Sequence, residues 1–224
     1  GVARGTGRSD GYKPAPGAVG GMTAEDLIDA VRDDQQTELS RIGSSKTLYA
    51  DTRGEMEPEA VRGAAATREV AASGVFDAWA DDSEGDAADL FAAAAADAAD
   101  RADDTGGEPA DRTFAMYETL AALDATVDRL GGLVGWTVVD KRVKDQLTGF
   151  FTGQADPQSA STFRSAGGEI EALREDASDS LDETCEDDAD WDAAEAAAID
   201  VVEAAYDDYV ETLEDLGVNP KNVC

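Results

Sequence analysis

Phe114-Ala-Met-Tyr-Glu-Thr-Leu-Ala-Ala-Leu-Asp-Ala-Thr-Val-Asp-Arg-Leu-Gly-Gly-Leu-Val134 sets Phe114, Tyr117, Leu120, Leu123, Val127, Leu130 and Val134 three or four residues apart. That spacing is one face of an α-helix. It predicts a helix over 110–152, opened after Glu108-Pro109 and ended at Gly153 and Asp156-Pro157. Gly131, Gly132 and Gly135 lie inside it, where they kink a helix or let a neighbour approach closely. The apolar run Leu130–Val139 is too short for the about 20 residues of a membrane span. It runs into Asp140-Lys141-Arg142 and predicts a buried helix segment.

The same period extends in both directions. A helix over 24–42 carries Leu27, Val31, Glu38 and Ile42 near one face, with Thr23 and Asp26 placed for a capping box. A connection over 46–54 leads to Glu57-Pro58, where Pro suits a first helical turn. The helix over 58–81 aligns Val61, Ala65, Ala72, Phe76 and Trp79; an Ala-dominated helix over 86–103 follows around Leu90 and Phe91. Further helices are expected over 157–183 and 189–216, the last stopped by Gly217 and Pro220. No segment shows the β-branched alternation of a strand. The fold class expected is all-α: an antiparallel bundle of about six helices occupying 22–224. Residues 1–21, with seven Gly, Pro14 and Pro16, are expected to be a flexible leader or upstream extension.

Charge is the second strong signal. Asp and Glu number 50 against 18 Lys and Arg, with no His, for a net charge of −32. Acids spread through every segment suit a protein whose solvent is concentrated salt, which screens self-repulsion to a few ångströms. The expected setting is the cytoplasm of an extreme halophile. Nucleic acid is an unsuitable partner for so negative a surface, because counterion release drives little binding at multimolar salt.

The absence of His excludes Ser-His-Asp and Cys-His catalysis and His-liganded zinc. No GxxxxGK[ST] loop and no EF-hand calcium loop occurs. Cys185 and Cys224 are too few for a zinc site and read as incidental thiols. Trp79, Trp136 and Trp191 fall near apolar stripes and read as core. Lys141-Arg142-Val-Lys144 reads as intrachain ion pairing, and the acidic run Asp182–Asp190 as a solvated loop. Carboxylates on apolar faces remain: Glu38, Glu69, Glu118 and Glu203. Four inward acids suit a pair of metal ions such as iron or manganese; the competing reading places them at the solvated margin of each stripe.

Glu38-Leu-Ser-Arg-Ile-Gly-Ser-Ser-Lys46, Gly135-Trp-Thr-Val-Val-Asp-Lys-Arg142 and Gln146-Leu-Thr-Gly-Phe-Phe-Thr-Gly-Gln-Ala-Asp156 resemble the haloarchaeal rubrerythrin-like proteins of the ferritin-like class. The resemblance implies a helical bundle and, in metal-binding members, a Glu on two helices plus Glu-x-x-His on two others. Here Glu69-Val-Ala-Ala72 has Ala at the His position, and Glu203-Ala-Ala-Tyr206 has Tyr. The expectation is therefore a ferritin-like bundle with no catalytic residues, no cofactor and no metal centre, acting in protein binding or self-association. The alternative is a carboxylate-bridged dimetal oxidase or peroxidase built on Glu38, Glu69, Glu118 and Glu203.

Overall fold

The computed structural model describes residues 21–221. Of the leader expected over 1–21, residues 1–20 lie outside the described residues, as does Cys224. Among the described residues there are nine helices and no strand: α1 (Ala24–Asp34), α2 (Gln36–Ile42), α3 (Lys46–Asp51), α4 (Pro58–Asp81), α5 (Gly85–Asp104), α6 (Ala115–Ala121), α7 (Thr126–Gly153), α8 (Pro157–Thr184) and α9 (Asp188–Asp215). The count exceeds the expected six because the chain breaks twice and gains one short helix.

The first break divides the helix expected over 24–42. Gln35 leaves helical geometry at φ −99°, ψ 25°. Its buried amide donates to Glu203 Oε1 on α9 at 3.3 Å. Hydrophobic period alone carries no sign of this bend, because Leu27, Val31, Leu39 and Ile42 are all buried on either side of it. The expected connection over 46–54 contains α3, whose Leu48 and Ala50 face apolar clusters.

The second break corrects the helix expected over 110–152. Phe114 is extended, α6 lasts two turns, and α7 starts at Thr126. Arg129 Nε donates to Leu123 O at 3.1 Å, satisfying a carbonyl that a continuous helix would have used internally. Upstream, Ala110 N donates to Thr67 Oγ1 at 2.9 Å and Arg112 Nη1 donates to Ala50 O at 2.8 Å. Tertiary bonds hold this stretch to α3 and α4 in place of helical ones.

Every residue of α7 from Arg129 to Asp140 is buried. A helix enclosed on all sides is the hub of its bundle. α8 and α9 pack against it, α1 touches α7, α8 and α9, and the α4–α5 hairpin leans on α7 and α8. The turn over 154–156 makes α8 reverse on α7; Asp156 caps α8 by accepting from Ser159 N at 3.0 Å. Thr23 and Asp26 form the expected capping box.

The core is thin in aromatic mass and close in approach. Phe76 packs on Trp79 and Trp136 with ring centroids 5.5 and 5.1 Å apart, and Trp79 meets Phe91 at 5.2 Å. All three Trp are buried, as their apolar stripes implied. Elsewhere Ala and Gly set the spacing. A Cβ built at Gly131 would stand 2.2 Å from Ala194 O, and one at Gly135 would stand 2.6 Å from Ala198 O. Both glycines let α7 lie against the backbone of α9 with no break in the helix.

Candidate functional site

α4 offers an apolar face of Val61, Ala65, Ala72, Phe76 and Trp79, and Glu69 sits on it, only 1% exposed. α7 brings Asp140 and Lys144, one turn apart, to the same place. α5 adds Arg101. Lys144 Nζ donates to Asp140 Oδ2 at 2.8 Å and lies 2.6 Å from Glu69 Oε1, close enough for ion attraction but without hydrogen-bond geometry. Arg101 Nε donates to Glu69 Oε2 at 3.1 Å, and its Nη1 donates to Glu169 Oε2 on α8 at 3.4 Å.

Two buried cations thus face two buried carboxylates. Burial by itself would lower the Lys144 pKa, but Asp140 and Glu69 outweigh it and hold the ammonium above its ordinary 10.5. Burial likewise opposes the Arg101 charge, and Glu69 and Asp140 overcome it. Three polar atoms of the group make no hydrogen bond: Arg101 Nη2, Glu69 Oε1 and Asp140 Oδ1.

A second buried pair lies toward α3. Arg68 donates from Nε and Nη2 to Asp51 Oδ2 and Oδ1 at 2.6 and 2.8 Å, the paired geometry in which guanidinium and carboxylate bind most strongly. The Arg68 and Arg112 guanidiniums each lie over the Phe114 ring, 4.3 and 4.4 Å from its centroid. Tyr117, buried beside them, is raised above the ordinary phenol range, chiefly by burial.

The four sequence candidates separate. Glu69 is buried in the charge group. Glu38 on α2 is partly exposed, while Glu118 on α6 and Glu203 on α9 are exposed. Among the described residues no three Asp, Glu or Cys side chains gather at metal-binding distance. The reading that places the four candidates at solvated stripe margins is corrected for Glu69, which, like Asp140 and Asp51, is buried against a cation of the protein itself. The ion pairing expected of the basic run holds for its two lysines: Lys144 pairs as described, and Lys141 Nζ donates to Asp145 Oδ1 at 2.6 Å, whereas Arg142 Nη1 donates to Val138 O at 2.8 Å. The i,i+4 spacing of Asp140 and Lys144 is the signal that could have paired them, one the sequence reading did not use; Arg101, in an Ala-rich helix, carried no signal of burial. The acidic run is loop only over 185–187; Asp182 belongs to α8 and accepts from Ala24 N at 2.9 Å. The Cys185 thiol is pushed up to about 11, first by burial and then by Asp190, Asp182 and Asp187.

Glu69, Arg101, Lys144 and Glu169 also line a cleft of about 490 Å³ between α5 and α8. Its walls include Asp104, Ser161 and Ser165. Comparison with family models, curated proteins and solved structures finds no match for this chain.

Proposed function

We propose that this chain is a salt-adapted helical bundle of the ferritin-like class, similar to haloarchaeal rubrerythrin-like proteins, acting by binding rather than by metal catalysis. One observation carries the reading: the inward Glu69 is neutralised by the ammonium of Lys144 and the guanidinium of Arg101. A metal ion drawn to Glu69 would have to contend with two fixed positive charges. With no His in the chain, no imidazole ligand offsets that repulsion.

The setting proposed is a cytoplasm rich in potassium chloride. No helix among the described residues is long and apolar enough to cross a membrane. Among large apolar side chains there, Val70 alone is widely exposed, at 48%. A partner, or a second copy, would therefore be met mainly through polar contacts.

Metal analysis of protein purified at about 3 M KCl, deep in the screened regime, tests the central reading. Less than one-tenth equivalent of iron or manganese is expected. About two equivalents, lost in Glu69→Ala, would overturn the reading in favour of a dimetal enzyme. Salt tests the setting separately. Helical circular dichroism should collapse below roughly 0.5 M KCl, where screening of the carboxylates weakens. A melting temperature that ignores salt would remove the halophilic reading.

A further inference from the structure

We infer that the groove between α1 and α8 binds a small monovalent anion, of the class of chloride, held between the guanidiniums of Arg32 and Arg174. The starting point is Arg174. Its side chain is only 12% exposed, yet its nearest carboxylate oxygen among the described residues, Glu171 Oε1, stands 3.8 Å from Nη2, beyond hydrogen-bond reach. Arg32 stands in the same relation to Asp29, at 3.8 Å, with its side chain 42% exposed. Both guanidiniums line the groove, and no nitrogen of Arg174 is sealed from solvent. A guanidinium carries five N–H donors, and a largely enclosed charge needs a partner of opposite sign. Here the unmet donors stand on the groove wall, where an anion can reach them.

A third positive charge adds to these two. A Cβ built at Gly167 on α8 would lie 3.5 Å from Lys141 Cδ and 3.6 Å from Lys144 Cβ on α7, which sets the register of this antiparallel pair. Arg174 follows Gly167 by two turns, and a helical side chain covers the turn before its own Cα. Its guanidinium is thereby returned toward the level of Val138, whose carbonyl accepts from Arg142 Nη1 at 2.8 Å. Asp145, the acid nearest Arg142 along α7, is taken by Lys141. Burial, and then the charges of Arg32 and Arg174, hold Arg142 below the ordinary guanidinium range; burial, and then Arg32, do the same to Arg174. An anion between them replaces that repulsion with attraction. The surrounding acids then select its kind. Glu25, Asp29, Glu175, Asp179 and Asp182 also line the groove. A phosphate or sulfate meets them with twice the charge and a larger radius, whereas a single-atom monovalent anion reaches the guanidiniums with the least repulsion. Concentrated KCl supplies such an anion and screens the acids to a few ångströms.

This rests on the salt-adapted reading above only for chloride as the anion on offer. A melting temperature that ignores salt would end that reading and leave the site standing, so either idea can fail alone. The experiment follows chloride binding to the full chain by the broadening of the chlorine NMR line. Potassium is held at about 3 M while chloride replaces fluoride, whose strong hydration makes it a poor competitor. Saturable broadening is expected. Arg174→Gln and Arg32→Gln should each raise the apparent dissociation constant at least about tenfold, with circular dichroism unchanged. Arg164→Gln, the same charge change at an exposed position of α8, should leave it unaltered. Crystals grown from KBr should place an anomalous bromide peak between the Arg32 and Arg174 guanidiniums. Broadening that does not saturate overturns the proposal, as does an equal effect from all three variants. So does a bromide map with no peak at that position. Should Arg174→Gln fail to fold, Arg32→Gln, at the more exposed arginine, decides alone.

Discussion

Replacing Lys144 with methionine is expected to lower stability by about 3–5 kcal/mol, the usual loss when one partner of a buried ion group is removed. Lys144 is 2% exposed and Glu69 and Asp140 are each 1% exposed at their side chains, so no water stands ready to take over from the ammonium. Against a typical total of about 5–15 kcal/mol, such a loss leaves a barely folded chain. Urea titration in concentrated KCl measures it; a change below about 1 kcal/mol, the scale of an exposed pair, would mean the group is solvated. Replacing the whole group with apolar residues of matching volume should restore most of the loss, because the cost lies in the stranded carboxylates. The pH dependence has a definite sign. Lys144 keeps its proton more tightly when folded than its ordinary 10.5 implies. Its contribution is therefore complete below that value and lost as pH rises through the folded one. Tyr117, also raised, erodes stability in the same direction above its ordinary 10.0, so Tyr117→Phe is the control that isolates the lysine.

Gly131→Ala is expected to destabilise the chain by about 2 kcal/mol or more, within and above the usual range for overpacking. The new methyl would stand 2.2 Å from Ala194 O and 2.6 Å from Ala194 Cα, both backbone atoms of α9. No rotamer change relieves that contact. α7 and α9 must move apart, and the buried surface between them opens. Gly149→Ala, in the same helix but with nothing within 4 Å of its added Cβ, should do the reverse. It should gain up to about 1 kcal/mol from helix propensity alone. Thermal unfolding of the two variants decides the matter: shifts of the same sign would show that Gly131 is not held against α9.

The contrast between these two glycines shows where sequence reading stops. Both stand in one helix with apolar neighbours, and propensity treats them alike. Only the position of α9 distinguishes them. The glycine cluster at 131–135 was legible as close approach or kink, and the continuous α7 selects the first. The four candidate glutamates behave similarly. Each falls near an apolar stripe, yet only Glu69 is enclosed, because α5 and α7 close over α4 at that level and bring two cations with them. Glu118 and Glu203 sit at the margins of their stripes and stay in solvent.

The breaks at Gln35 and over 122–125 were illegible for a related reason. Apolar period continues across both, so a local reading joins what the fold divides. Gln35 bends where its amide meets α9, and the stretch before α6 stays extended where Thr67 and Ala50 bind its backbone and Arg112.

From sequence alone came the all-helical class, most helix boundaries, the Thr23 cap, the buried centre of α7 and the acidic character of the chain. These depend on interactions within a few residues or on composition, which the chain carries wherever it folds. Tertiary structure decided which carboxylates turned inward, which cations met them, and that α5 and α8 leave a polar cleft beside the buried charges. Those outcomes depend on residues far apart in sequence, such as Glu69 and Lys144, whose attraction exists only once the helices have packed.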